Sequence, residues 1–178
     1  DDPAIVAGLA RFGRRTVVDS PDTGRTETVY DLADNPVKEI TAKLAATDQE
    51  VEYSYDFTRL ASIRYPVFTG NNVTYTYGPP NAPNNGANRV IQMTDGAGTV
   101  ARAYGPQGEV IRETRTVANR GSHDETFTTT YQFDVFNRML SMTFPDGEVL
   151  SYTYDTGGLV RSATGVKGEH TYPYLTRL

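Results

Sequence analysis

A tyrosine, an aspartate and a glycine-tipped turn recur along this chain, and that recurrence restricts the fold more than any other feature. The sharpest copy is Tyr152-Thr153-Tyr154-Asp155-Thr156-Gly157-Gly158-Leu159-Val160. Tyr152 and Tyr154 alternate with polar neighbours, the period-two pattern of a half-buried strand. Asp155 opens a four-residue turn, where its carboxylate can accept backbone N–H groups two residues on. Gly158 closes the turn, at the position where a type I turn followed by a bulge needs positive φ. A second strand starts at Leu159.

The other copies vary this unit. Tyr55-Asp56-Phe57-Thr58-Arg59-Leu60 lacks one turn residue. Phe133-Asp134-Val135-Phe136-Asn137-Arg138-Met139 places Asn at the bulge position, and Asn tolerates left-handed backbone. Tyr104-Gly105-Pro106-Gln107-Gly108 has Pro second and Gly fourth, while Tyr30-Asp31-Leu32-Ala33-Asp34 carries Asp at the bulge. Tyr75-Thr76-Tyr77-Gly78 opens a degenerate copy with a long loop, and Tyr172-Pro173-Tyr174 begins another. The aromatic anchors recur every roughly 20 to 29 residues, a period that marks repeat architecture.

Composition agrees with a sheet. Tyr is abundant at 12 residues, with 7 Phe and no Trp, and Tyr suits a sheet with one dry and one wet face. Sixteen Gly and ten Pro supply many turns. The absence of Cys excludes disulfides, thiolate metal sites and a cysteine nucleophile. A net charge of −5 argues against a nucleic-acid partner. No stretch reaches transmembrane length. The chain opens without a signal-like apolar segment and stops just after a strand begins, so it reads as an internal piece of a longer polypeptide.

Four regions follow in order. Residues 1–13 form a connector in which Asp2-Pro3 and Gly13 predict a short helix. Residues 14–77 hold repeats, with Lys43–Thr47 ambiguous. Residues 78–88, rich in Pro, Asn and Gly, form a loop within the array or a boundary between two runs of it. Residues 89–178 hold further repeats, the last one cut short. Asp95-Gly96 and Asp146-Gly147 predict hairpin turns.

The unit Tyr-Asp-x-x-Gly-Arg/Asn-Leu resembles the YD repeat of the RHS (rearrangement hotspot) family, over residues 14 to 174. That family includes bacterial polymorphic toxins, the B and C components of insecticidal toxin complexes, and teneurins. The resemblance implies an all-β fold: a repetitive antiparallel hairpin array forming a curved sheet, part of a larger hollow β-shell that encloses a C-terminal toxin domain. It implies as partners the remaining repeats of the same polypeptide and the enclosed toxin domain, with delivery-machinery proteins or surface glycans beyond them, and a secreted or cell-surface location. Three copies depart from the pattern: Gly105 replaces Asp, Phe133 replaces Tyr, and the turn after Asp56 is short. The family's Asp-Pro-x-Gly-Leu self-cleavage motif is not matched, because Asp2-Pro3 is followed by Ala4 and Ile5.

Candidate chemistry is sparse. His123 and His170 lie in polar surroundings without neighbouring Cys or His, and a metal or general-base role needs convergent partners. Asp31, Asp56, Asp134 and Asp155 share one turn position, which favours backbone capping over an acid pair. Gly96-Ala97-Gly98 and Asn84-Asn85-Gly86 lack a phosphate-loop context. Ser122-His123-Asp124 are neighbours in sequence, whereas nucleophile triads are assembled in space. The expectation is a non-enzymatic structural segment with no catalytic residue, metal or cofactor; the alternative is an extracellular adhesion or carbohydrate-binding repeat module, in which exposed Tyr rings stack on sugars.

Overall fold

The structure, a computed structural model, describes residues 13–118 and 123–177. The helix expected over residues 2–13 lies outside them apart from Gly13, which sits in a turn. Among the described residues, fourteen strands follow one another in sequence order. They are β1 (Val17–Ser20), β2 (Gly24–Tyr30), β3 (Pro36–Thr41), β4 (Val51–Asp56), β5 (Arg59–Arg64), β6 (Val73–Tyr77) and β7 (Val90–Asp95). They continue as β8 (Gly98–Tyr104), β9 (Val110–Val117), β10 (Glu125–Phe133), β11 (Met139–Thr143), β12 (Val149–Tyr154), β13 (Val160–Lys167) and β14 (His170–Thr176). Every strand pairing with a described register is antiparallel. The ambiguous stretch after β3 becomes one helical turn, α1 (Ala42–Ala45), because Thr41 caps it: the Leu44 N–H donates to Thr41 Oγ1 at 3.4 Å. No described helix is long and apolar enough to cross a membrane.

The chain divides into two units, Asp1–Tyr75 with Thr94–Gly96, and Thr76–Met93 with Ala97–Leu178. In the first, period-two alternation sorts side chains by face. Tyr53 stands opposite Ile63, and Ile63 opposite Val73, in one apolar row. The other face carries Lys38, Glu52 and Arg64 side by side, a charged row suited to water.

On the apolar face of this unit the Tyr53 hydroxyl donates to Glu39 Oε2 at 3.1 Å. Burial, then the negative charge and hydrogen bond of Glu39, push the Tyr53 phenol up to about 12. The folded state therefore holds this proton where the unfolded chain has begun to lose it. The stabilisation is complete below the ordinary value of 10.0 and is lost as pH rises through about 12. A tyrosinate absorbance titration should show one phenol ionising last, and Tyr53→Phe should remove that late step.

The second unit separates its faces more sharply. One row runs Tyr131, Met142, Leu150, Gly165, Tyr172 across five strands. The opposite face carries rows of hydroxyls, Thr99, Thr116 and Thr126 in one and Ser141, Ser151 and Thr164 in another, with the Val149–Val166 pair beside them. Neighbouring hydroxyls bond across strands, Thr116 to Thr126 at 3.1 Å and Thr153 to Ser162 at 2.6 Å. Each such pair contributes about 0.2–1 kcal/mol. A one-residue slip would exchange the two faces, so the alternation itself sets register. Among the described residues the buried ones are Asn35, Ala103, Tyr104 and Ala163, together with the glycines Gly78, Gly86, Gly105 and Gly165. The layer is held by its strand ladders and cross-strand pairs more than by an enclosed core.

Candidate functional site in the Tyr-Asp turns

Four of the sequence repeats close with one geometry. The first residue's N–H donates to the fifth residue's carbonyl: Asp31 to Asn35 at 2.9 Å, Gly105 to Glu109 at 2.8 Å, Asp134 to Arg138 at 3.0 Å, and Asp155 to Leu159 at 2.9 Å. The fourth residue donates back to the first carbonyl, at 3.0–3.3 Å. That fourth residue takes positive φ in every case: Asp34 at 72°, Gly108 at 92°, Asn137 at 60° and Gly158 at 79°. This is the type I turn plus bulge that the sequence predicts. The loop expected from Asp146-Gly147 is the same device with Phe144 first: the Phe144 N–H donates to the Glu148 carbonyl at 2.8 Å, and Gly147 has φ 86°.

The repeat aspartates act as backbone caps. Asp155 Oδ1 accepts the N–H groups of Gly157 and Leu159, each at 2.9 Å. Asp134 Oδ1 accepts those of Phe136 and Arg138, and Asp31 Oδ1 those of Ala33 and Asn35, at the same distance. The Arg138 backbone N–H leads in holding the Asp134 carboxyl below its ordinary value. At Asp31 burial works upward, but the Asn35 side chain and the backbone N–H groups outweigh it and the carboxyl ends low. Both contributions are present at neutral pH and fade as pH falls through the carboxylate range. Asp56 departs from the expected role. Its turn has only Phe57 and Thr58 between the strands, with Phe57 at φ 57°, and its carboxylate pairs with the Arg59 guanidinium directly opposite.

Gly105, where the repeat loses its aspartate, keeps a carboxylate by another route. Glu109 swings back so that its Oε2 accepts the Gln107 N–H at 2.9 Å. A Cβ at position 105 would lie 1.9 Å from Glu109 Oε1, so the missing side chain makes the room. Glu109→Ala should cost about 1 kcal/mol through the orphaned N–H. Gly105→Asp should restore the cap in that background, so the double variant unfolds in urea near the wild-type midpoint. Additive losses would show that the two carboxylates are not interchangeable.

Consecutive turns are tied together by an arginine whose role the sequence reading missed. In three copies the residue after the positive-φ position is Arg, and its guanidinium covers the tyrosine of the following repeat. Arg14 lies 5.6 Å from the Tyr30 ring centre, Arg89 5.4 Å from Tyr104, and Arg138 4.7 Å from Tyr154. The same tyrosine's hydroxyl donates to the carbonyl just beyond that arginine: Tyr30 to Arg15 at 3.5 Å, Tyr104 to Val90 at 2.6 Å, and Tyr154 to Met139 at 2.7 Å. Arg14 also pairs with Asp34, and Arg89 Nη1 donates to the Gly108 carbonyl at 3.4 Å. Where Arg is replaced by Asn35, the tie survives: Asn35 Nδ2 donates to Asp31 Oδ2 and to the Phe57 carbonyl of the next turn, both at 2.9 Å. Gln107 Nε2 reaches the Val135 carbonyl similarly, at 3.0 Å. The signal was present as Arg following Gly13, Asn88 and Asn137, but its partner is a repeat away.

The remaining candidates are not brought together. His123 is exposed, and Ser122 lies outside the described residues. His170 stands on β14 with its ring 6.4 Å from that of Tyr172, which stacks at 6.3 Å on Tyr174. Among the described residues, no group of three His, Cys, Asp or Glu could hold a metal ion. Asn84, Asn85 and Gly86 form a folded loop: Asn84 O accepts the Tyr104 N–H at 3.0 Å, and Asn85 Nδ2 donates to the Tyr104 carbonyl at 3.1 Å.

The layer of antiparallel hairpins ordered along the chain is a fold shared with parts of larger solved structures. The chain is similar to the crystal structure of TcdB2-TccC3 without its hypervariable C-terminal region, with TM-score 0.75 and 16% identity over 98% of this chain. TcdB2-TccC3 itself matches with TM-score 0.74 and 17% identity over 97%. The Photorhabdus luminescens Tc holotoxin pore matches with TM-score 0.75 and 20% identity over 89%. The chain spans about a tenth of the length of these chains. No family model matches it. No curated protein matches it.

Proposed function

We propose that this segment is a non-catalytic stretch of wall in a secreted, toxin-complex-type protein, where it helps enclose a C-terminal toxin domain. The observation that carries the reading is the turn-to-turn tie. Each Arg or Asn links its own turn to the next through side-chain contacts, which stiffens a single layer that has little enclosed core. Stiffness without a core is what a wall around a guest requires, and the fold likeness to TcdB2-TccC3 over 98% of the chain supports it. The remaining repeats of the same polypeptide would be its lateral partners.

Limited proteolysis of the full polypeptide, read by mass spectrometry, tests this. The region downstream of the repeats should resist cleavage until the repeats are opened. Immediate digestion of that region while the repeats survive would remove the enclosure reading. A second reading, a glycan-binding module, rests on the exposed ring row of His170, Tyr172 and Tyr174. Saturable glycan binding lost on Tyr172→Ala would favour it.

A further inference from the structure

The loop between β6 and β7 places side by side two residues that the fold needs and that can react with each other. Asn84 and Asn85 take φ 53° and 52°, left-handed backbone that Asn tolerates. Gly86 is buried, and a Cβ there would lie 2.8 Å from Ile91 Cγ2 and 3.2 Å from the Pro83 carbonyl oxygen. Backbone conformation thus favours Asn at 85, and packing requires Gly at 86. Asn85-Gly86 is the one Asn-Gly step in the sequence. Such a step can cyclise, because no side chain on the glycine hinders its nitrogen from reaching the amide carbon. The Gly86 nitrogen loses its proton and bonds Asn85 Cγ, the Cγ–Nδ2 bond breaks, and ammonia leaves. Water then opens the ring at either carbonyl. One opening gives aspartate, the other isoaspartate, which adds a carbon to the main chain. Water is taken up and ammonia released, with no oxidation.

In the closed loop both reacting groups are occupied. The Gly86 N–H donates to the Pro83 carbonyl at 3.1 Å, and Asn85 Nδ2 donates to the Tyr104 carbonyl at 3.1 Å. The Asn84 carbonyl accepts the Tyr104 N–H at 3.0 Å, which completes the clasp. We propose that Asn85-Gly86 is a latent deamidation site: the closed loop shields it, opening exposes it, and the product cannot close the clasp again. Either product puts a carboxylate oxygen where Nδ2 now donates, so two acceptors face each other at the Tyr104 carbonyl. Isoaspartate also lengthens the main chain between Asn84, held by Tyr104, and Gly86, wedged beside Ile91, and both cannot keep their places. Asn85 itself is exposed, so water reaches the ring. The reaction needs only water and is independent of anything the segment encloses.

The full polypeptide is aged in mildly alkaline buffer, folded and in urea. Its tryptic peptide covering residues 65–89 is followed by mass spectrometry that separates aspartate from isoaspartate. In urea Asn85 should convert before the other asparagines of that peptide, and in the folded protein about tenfold or more slowly. Equal rates would overturn the shielding. Gly78→Ala should raise the folded rate toward the urea value, because a Cβ there would collide with the Gly86 carbonyl and lift the loop. Gly147→Ala, a positive-φ position with open space around it, should leave the rate unchanged. A rise in both variants, or in neither, would overturn the assignment of the shielding to this loop. Asn85→Asp, which is one of the products, reads the clasp directly by hydrogen exchange. Its Tyr104 amide should exchange about tenfold or more faster than in the wild type. Asn85→Gly, which keeps the left-handed backbone and loses only the donor, should fall between them. Wild-type protection of Tyr104 in Asn85→Asp would overturn the one-way release.

Discussion

Gly98→Ala should be among the most damaging single substitutions in this chain. Gly98 begins β8 with φ 136°, a backbone state open to glycine and strained for any residue with a Cβ. A Cβ there would lie 1.9 Å from the Thr116 carbonyl oxygen, and that oxygen is backbone on the paired strand β9, so no side-chain rotation relieves the contact. Backbone strain of about 1–3 kcal/mol adds to the displacement of a ladder, for a total on the order of 3 kcal/mol or more. Thermal unfolding should shift down by roughly 6–12 °C in a chain of this size. Gly147→Ala is the control. Gly147 has φ 86° with nothing within 4 Å of the added carbon, so only the conformational term remains, about 1 kcal/mol. Equal losses in the two variants would mean that crowding at Thr116 contributes nothing.

Tyr104→Ala should cost about 3–5 kcal/mol. It is among the most buried of the described residues, with 8% of its surface exposed. Three interactions converge on it: the hydroxyl bond to the Val90 carbonyl, the Arg89 guanidinium over its ring, and the ring's own burial. Tyr104→Phe removes only the first and should cost about 1 kcal/mol, the usual net value of such a bond. Arg89→Ala removes the stacking charge, worth about 0.5–1 kcal/mol at a partly exposed site. A double-variant cycle between Arg89 and Tyr104 in urea unfolding should return coupling of that size. A coupling of zero would show that the arginine tie is packing alone and would weaken the stiffened-wall reading.

The turns were legible because their causes are local. Asp155 and Gly158 are three residues apart, and cap and positive φ both act within that span, so the hairpin at 154–160 could be read without any partner strand. Period-two alternation in Tyr152-Thr153-Tyr154 likewise sorts side chains to opposite faces wherever the strand pairs. Asp56 shows the limit of local reading. It looks like its fellow aspartates, but one missing turn residue puts Arg59 directly across from it and changes its partner. Residues 78–88 read as a linker because of their Pro, Asn and Gly content, yet Asn84 and Asn85 clasp the backbone of Tyr104 on both sides.

By itself, then, the order of residues determined which segments are strands, where they turn, and which side chains share a face, since these depend on neighbours within a few bonds. Tertiary structure alone decided which turn touches which. Arg138 reaches Tyr154, Asn35 reaches Phe57, and Glu109 occupies the space that Gly105 leaves empty. Those contacts depend on strand register summed over whole hairpins. A shift of one residue anywhere between the partners would send each side chain to the opposite face, which is why no local pattern in the sequence announces them.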